Sequence, residues 1–289
     1  VEQFVLVLVA GIASGAVYGL MGLGLVIIFR ATDVVNFALA SMATMALYIA
    51  WSATRAGWGT ITAVIAAVIA AALIGIIVRE VVIRPLGSGN LFSALVITMG
   101  ASLIIDSLIH SFWGTQPTSF PALVEGQVSF GDSAIAVQSL LTIAVAAVAM
   151  GAVAFLFKRT TLGSVMRAVA ESSDTAKTLG VNPQKVARIA WGLGMALAAL
   201  AACLYAPRSG LSPTVLAAPL FRAFAGIFLG GLTSMYGAVI GGVTIGVLEN
   251  LAATYGSASF RDTFVFAFTV LVLLIRPQGL FGAKTFERV

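Results

Sequence analysis

Between Phe4 and Phe29 the chain carries no Asp, Glu, Lys or Arg, and apolar runs of this kind recur along most of its length. Crossing the hydrocarbon core of a bilayer takes about 20 consecutive apolar residues in a helix, because every backbone amide must find its partner within the segment. Ending each run at a charge, Pro or Gly gives clear spans at Phe4–Phe29, Val34–Trp51, Thr60–Val78, Leu91–Trp113, Ala134–Phe157 and Ile189–Tyr205. Shorter runs follow at Phe221–Leu232, Gly237–Ala253 and Thr263–Ile275, the first of them short enough to read as a half-helix or re-entrant piece. With 60% hydrophobic and 9% charged residues over 289 positions, too little polar surface remains to cover a soluble globule. The expected fold class is therefore all-α, a polytopic integral membrane protein with about 7–9 transmembrane helices including broken or re-entrant segments. Residues 1–289 read as a single transmembrane domain. The first run lacks a basic leader region and continues to Phe29, so it is expected to stay in the membrane.

Charge sets the expected orientation. Placing the N-terminus outside puts twelve of the 16 Lys and Arg residues on the cytoplasmic side. These are Arg30, Arg79, Arg84, the six basic residues between Lys158 and Arg188, and Arg276, Lys284 and Arg288. Arg55, Arg208, Arg222 and Arg261 are left outside, and the outer loop Gly114–Ser133 has Glu125 and Asp132 with no basic residue. The positive-inside bias thus predicts N-out and C-in, with seven or nine crossings. The same distribution argues against nucleic-acid binding, since the basic residues flank apolar spans.

Residues 158–188, KRTTLGSVMRAVAESSDTAKTLGVNPQKVAR, form a polar island in this apolar chain. Ser172 or Ser173 is placed to N-cap a short helix with Asp174 in its first turn. Gly180 then gives a C-terminal stop, and Asn182 with Pro183 opens a second helix leading back to the membrane. A plain connection between two spans needs only a few residues. This island is expected to present Thr175, Lys177, Thr178 and Leu179 for docking in the cytoplasm.

Chemistry-bearing constellations are scarce. The chain has no Gly-x-x-x-x-Gly-Lys-Ser/Thr phosphate loop, so any use of ATP belongs to a partner. One histidine, His110, and one cysteine, Cys203, support neither a metal site nor a catalytic triad, and no cofactor is expected on this chain. Intramembrane carboxylates cost about 2.5–3.5 kcal/mol each even on insertion scales, which singles out Asp106, one turn before His110, and Glu249 beside Asn250. Each reads either as part of a translocation pathway or gate, or as interhelical glue. Asn36, near Arg30 and Asp33, reads as a gate or cap near the cytoplasmic mouth. Ser41, Thr44, Thr98 and Ser102 suit a weakly binding pathway lining and equally well suit helix packing. The spaced glycines of SGAVYGLMGLG (Ser14–Gly24) and GAVIGGVTIG (Gly237–Gly246) point to close helix contacts, with hinges as the alternative.

The island RAVAESSDTAKTLGVNPQKV resembles the coupling loop of permease subunits in the branched-chain amino acid ABC importer family, through Arg167, Ala168, Ala176, Gly180, Val181 and Asn182. Further motifs are similar to that family: VVNFALASMATMALYIA (Val34–Ala50), IRPL (Ile83–Leu86), ITMGASL (Ile97–Leu103), FAGIFLGGLTSMYGAVIGGVTIGVLEN (Phe224–Asn250) and RPQGLFG (Arg276–Gly282). The chain departs from it where His and Gly commonly follow Asn36-Phe37-Ala38 and this sequence has Leu39 and Ala40, and at AACLYAP after the loop. Relatives of the family handle urea, short amides and aromatic acids, so the substrate stays open.

The resemblance implies a bacterial inner-membrane permease subunit, not an enzyme, of an ATP-driven importer for branched-chain or related amino acids and small polar metabolites. It implies a second homologous permease, two cytoplasmic ATPases using ATP and Mg, and an extracytoplasmic substrate-binding protein as partners. The ATPase-coupling residues would be Glu171, Asp174, Thr175, Ala176, Lys177, Thr178, Leu179, Gly180 and Val181. The alternative is a proton-coupled secondary transporter using Asp106 or Glu249.

Overall fold

The computed structural model describes residues 2–86, 91–130 and 133–282. Asp132, Lys284 and Arg288, used in the charge map above, lie outside the described residues. Eleven α-helices account for most of the described chain: α1 Glu2–Thr32, α2 Leu39–Arg55, α3 Thr60–Val78, α4 Leu91–Trp113, α5 Val137–Arg159, α6 Thr161–Glu171, α7 Ser173–Thr178, α8 Pro183–Ser209, α9 Ala217–Gly230, α10 Met235–Leu251 and α11 Arg261–Ile275. One antiparallel hairpin, β1 Gln127–Phe130 with β2 Ser133–Ala136, precedes α5 in the register Gln127↔Ala136. Single π-helical turns extend α3 over Arg79–Ile83 and α10 over Ala252–Gly256.

Among the described residues, seven helices are long and apolar enough to cross a membrane: Glu2–Thr32, Thr60–Ile83, Phe92–Trp113, Val137–Arg159, Pro183–Ser209, Met235–Gly256 and Ala258–Ile275. The chain is an all-α polytopic membrane protein. α9, at 14 residues, is the short apolar helix expected near Phe221, shifted to Ala217–Gly230. The second span, expected at Val34–Trp51, is instead a helix that begins only at Leu39 and, at 17 residues, is not among these seven. Asp33 takes φ +54 and its amide still bonds Phe29 O at 2.7 Å, so α1 ends in a left-handed turn that Asp tolerates better than most residues. The fifth span begins at Val137 rather than Ala134, because Ser133–Ala136 gives its backbone groups to β1.

The chain divides into two compact units, Val1–Val26 with Val124–Ala147 and Ala218–Val289, and Ile27–Leu123 with Val148–Ala217. The second unit is built on α3, whose small residues Ala63, Ala67, Ala71 and Gly75 recur every fourth position and are buried. The opposite face, Ile61, Ile65, Ile69, Leu73 and Ile77, is more than half exposed. A soluble helix puts its large apolar residues inward, whereas here lipid removes that drive and close backbone approach takes its place. A Cβ on Gly75 would stand 2.6 Å from Met195 Cγ and 2.9 Å from Trp191 O, so α3 and α8 touch through the glycine itself. Trp191, Met195, Tyr48 and Met42 fill the centre of this unit and are essentially inaccessible.

In the first unit the two Gly-rich stretches of the sequence meet each other. A Cβ on Gly11 would lie 2.8 Å from Val247 Cα, one on Gly15 2.6 Å from Val243 Cα, and one on Gly226 2.7 Å from Gly242 N. α10 is thus the common partner of α1 and α9, in backbone contact with both. The segment after α11 is strapped to the end of α9 by backbone bonds from Leu280 N to Leu229 O (2.8 Å) and Phe281 N to Gly230 O (3.0 Å).

Candidate functional site

Each turn of the polar loop is held by a local rule. Thr160 caps α6 by accepting from Gly163 N at 3.1 Å, and Gly163 lets α6 fold back on α5, where a Cβ would come within 2.5 Å of Phe157 Cα. α6 then buries Met166 and Val169 and leaves Arg167 exposed. Of the two serines expected to cap the next helix, Ser172 does so, its Oγ accepting from Thr175 N at 3.2 Å. α7 ends on Gly180, at φ +81, with Val181 N bonded to Ala176 O at 3.0 Å and Gly180 N to Lys177 O at 3.0 Å. These two bonds are the 6→1 and 5→2 pair of a Schellman stop, which requires a left-handed residue where glycine stands. Asn182 Oδ1 accepts from Gln184 N (3.0 Å) and Lys185 N (3.3 Å), and Pro183 starts α8.

The coupling residues expected from sequence do not all face the same way. Glu171, Asp174, Thr175, Lys177, Thr178 and Gly180 are exposed, and Leu179 at the tip is 77% exposed. Ala176 is 2% exposed and Val181 half-buried, so these two hold the turn down from within. Lys177 Nζ and Asp174 Oδ1 pair at 2.9 Å across one turn of α7, in the open. What the loop offers is a small, rigid helix with an apolar tip and a mixed-charge flank. α6 was not anticipated, although Thr160 followed by Val165, Met166 and Val169 carried a capped, amphipathic signal.

A second group surrounds the break between α1 and α2. Asn36 is fully buried there, ahead of α2 rather than within it. Its Oδ1 accepts from Ala38 N at 3.0 Å, while Nδ2 has only sulfur partners, Met42 Sδ at 3.9 Å and Met195 Sδ at 4.0 Å. An amide donor resting on thioethers is weakly held and available for a better acceptor. Thr98, also fully buried, donates to Leu95 O (3.0 Å) and reaches Val35 O (3.4 Å), which brings it beside the same break. Ser41 and Thr44 are buried on α2. Ser102 is half-buried and donates to Met99 O at 2.7 Å. Asp106 is half-buried on α4 between the buried Ile105 and Ile109, with His110 exposed.

Glu249 is not a solitary acid. It accepts from Tyr18 Oη at 2.7 Å and pairs with Arg222 at 3.3 Å and Arg261 at 3.5 Å. Arg222, 5% exposed, also donates to Asp262 at 2.7 Å through Nη2, and lies over the Tyr18 ring at 5.9 Å. Two guanidiniums and two carboxylates from α9, α10 and α11 balance one another, with Tyr18 of α1 closing the group. Asn250 spends its amide on Gly246 O at 2.9 Å. The sequence left Arg222 and Arg261 on the outer side. Burial of Arg222 beside two acids distant in the chain is a tertiary fact, and the signal available beforehand was an arginine inside an apolar run. Among the described residues, no group of three or more His, Cys, Asp or Glu side chains is placed to hold a metal ion.

Residues 7–275 match the family model described as branched-chain amino acid transport system / permease component. The chain is 29% identical to the high-affinity branched-chain amino acid transport system permease protein BraD of Pseudomonas aeruginosa, over 98% of this chain and 97% of that one. It is 28% identical to the permease protein LivH of Escherichia coli, over 96% of both, and 28% identical to a probable LivH of Methanocaldococcus jannaschii, over 91% and 88%. Among solved structures, PsaBC from Streptococcus pneumoniae in complex with Fab shares the fold, with a TM-score of 0.52 and 14% identity over 94% of this chain and 91% of that one.

Proposed function

The chain belongs to the permease-component family of branched-chain amino acid transport systems, and on that premise we propose that it is the membrane-spanning permease subunit of an ATP-driven ABC importer. Its cargo is a branched-chain or related amino acid or a small polar metabolite. The chain is a transport subunit and not an enzyme. In this reading it lies N-out and C-in in a bacterial inner membrane. A second homologous permease, two cytoplasmic ATPases and an extracytoplasmic binding protein complete the assembly. ATP and Mg are used by the ATPases.

The observation that carries the reading is α7. A six-residue helix, capped at both ends and tipped by an exposed leucine, stands between two membrane-length helices. A connection has no need of such an ordered knob, whereas a lever does. Residues 171–181 seat on the ATPase, and closure of the ATPase pair on ATP moves α7. α8 begins three positions past Gly180 and carries that movement inward, so the membrane helices exchange one opening for the other. Asn36, Ser41 and Thr98 form the pathway or gate near the α1–α2 break, offering weak contacts that a passing solute can leave. The paired state of Glu249 argues for a fastening role there, in place of the proton carriage that a secondary transporter would need.

The test is to purify the tagged chain from its native membrane in mild detergent and identify its companions by mass spectrometry. Recovery of an ATPase pair and a second permease is expected. Recovery of the chain alone, from cells in which its uptake activity survives loss of ATP, would overturn the importer reading.

A further inference from the structure

Glu80, in the π-helical turn that follows α3, collects three guanidinium groups. Its Oε1 takes Arg188 Nε at 3.0 Å and Arg79 Nη1, and its Oε2 takes Arg84 Nη1 at 2.9 Å. Arg79, 4% exposed, also donates through Nη2 to Gln184 Oε1. Gln184 and Arg188 stand on the first two turns of α8, directly past the Asn182 cap that closes the loop. The wide turn Arg79–Ile83 presents two consecutive residues, Arg79 and Glu80, to α8 at once, and π turns are frequently found at functional positions.

An exposed ion pair contributes little by itself. Here one carboxylate is shared by three donors, one of them buried, so its removal leaves Arg79 facing Arg84 and Arg188 with no counter-charge. Deeper along the same two helices, α3 and α8 touch through glycine, Gly75 against Trp191 and Met195, and Gly192 against Ile76. The pair is therefore bonded at its loop end and closely packed further in. α8 runs unbroken for 27 residues, about 40 Å at 1.5 Å per residue. It reaches the α1–α2 break twice, Trp191 Nε1 donating to Thr32 Oγ1 at 3.4 Å and Met195 Sδ accepting from Asn36 Nδ2 at 4.0 Å.

We propose that Glu80 is a positioning residue that locks α3 to the loop end of α8, so that displacement of α7 arrives at the Asn36 turn as a rigid movement of the α3–α8 pair. Without the lock, the first turns of α8 bend away from α3 under load and the movement is lost before it reaches Trp191. This inference rests on the coupling role proposed above for residues 171–181.

The test uses the whole transporter, purified with its ATPases, second permease and binding protein and reconstituted in proteoliposomes, with radiolabelled leucine as the probe. Glu80→Gln is expected to leave ATP hydrolysis within about twofold of the unaltered protein and to lower leucine imported per ATP by about tenfold, with KM for leucine unchanged. Glu80→Asp, which restores the charge, should recover most of the yield per ATP. Gln184→Leu removes the α8 acceptor of Arg79 while leaving Glu80 intact, and should give a smaller loss in the same ratio. An unaltered yield per ATP in Glu80→Gln overturns the proposal. So does a parallel fall of uptake and hydrolysis that tracks the amount of folded protein, because that is a fold defect only. An unaltered transporter that co-purifies with no ATPase and imports leucine without ATP would overturn the importer reading, and this inference with it.

Discussion

Gly180→Ala isolates the shape of the loop from its composition. Nothing stands within 4 Å of a Cβ built on Gly180, so the substitution makes no clash with a neighbour. The cost is confined to the residue's own backbone at φ +81, where a Cβ crowds the following carbonyl by about 1–2 kcal/mol. That energy is a factor of about 5–30 in the equilibrium between the closed stop, with Val181 N on Ala176 O, and an open one. Asparagine tolerates the left-handed region better than alanine, and a β-branched residue tolerates it least, so the loss should run in the order Asn, Ala, Val. The assay is amide hydrogen exchange over residues 173–181 in detergent, read beside leucine uptake per ATP in the assembled transporter. Protection of the Val181 amide should fall about 5–30-fold in Gly180→Ala with the global melting transition unmoved. Uptake per ATP should fall in the same order across the series. Equal protection in Gly and Ala, or an Asn variant worse than Ala, would refute the claim that a left-handed stop shapes this loop.

Other substitutions probe the remaining parts. Arg222→Met leaves Glu249 buried with Arg261 as its remaining charged partner and should cost about 3–5 kcal/mol in thermal or denaturant unfolding in detergent. Adding Glu249→Met should return much of it, because an apolar pair replaces a half-broken ionic one. Gly226→Val drives a side chain onto the backbone of Gly242, which cannot rotate away, and should lower the melting temperature or abolish accumulation of folded protein on size exclusion. Asn36→Ala strips the acceptor from the buried Ala38 amide and should cost about 1–3 kcal/mol by the same unfolding measurement. Lys177→Ala breaks an exposed pair and should leave the melting temperature unchanged.

What the sequence disclosed followed the range of the interactions. From Ser172 onward the loop was legible almost residue by residue, because Ser172, Gly180, Asn182 and Pro183 act on amides two to five positions away. The apolar runs disclosed the spans for the same reason, since a helix in lipid closes its bonds within itself. The limits of those runs were less secure at Val34 and Ala134, where apolar composition continues but the backbone is claimed by the Asp33 turn or by β1. Arg222 and Glu249 were read apart, as an outer-side charge and as a gate or interhelical glue, because the contacts that join them connect α1, α9, α10 and α11. The lock at Glu80 was hidden likewise, since Arg188 is 108 positions away and nothing near Glu80 announces it.

The seam between α1 and α10 also sets a timetable for assembly. Tyr18 and Glu249 are 231 positions apart, and Gly11 and Gly15 wait for Val247 and Val243 over the same stretch of chain. At about 5–20 residues per second, a ribosome needs roughly 12–46 s to deliver α10 after α1 has entered the bilayer. For that interval the groove along Gly11 and Gly15 is open to whatever small-faced helix drifts past. The newborn α1 thus waits in the bilayer with its small-residue face uncovered until α10 arrives to close on it.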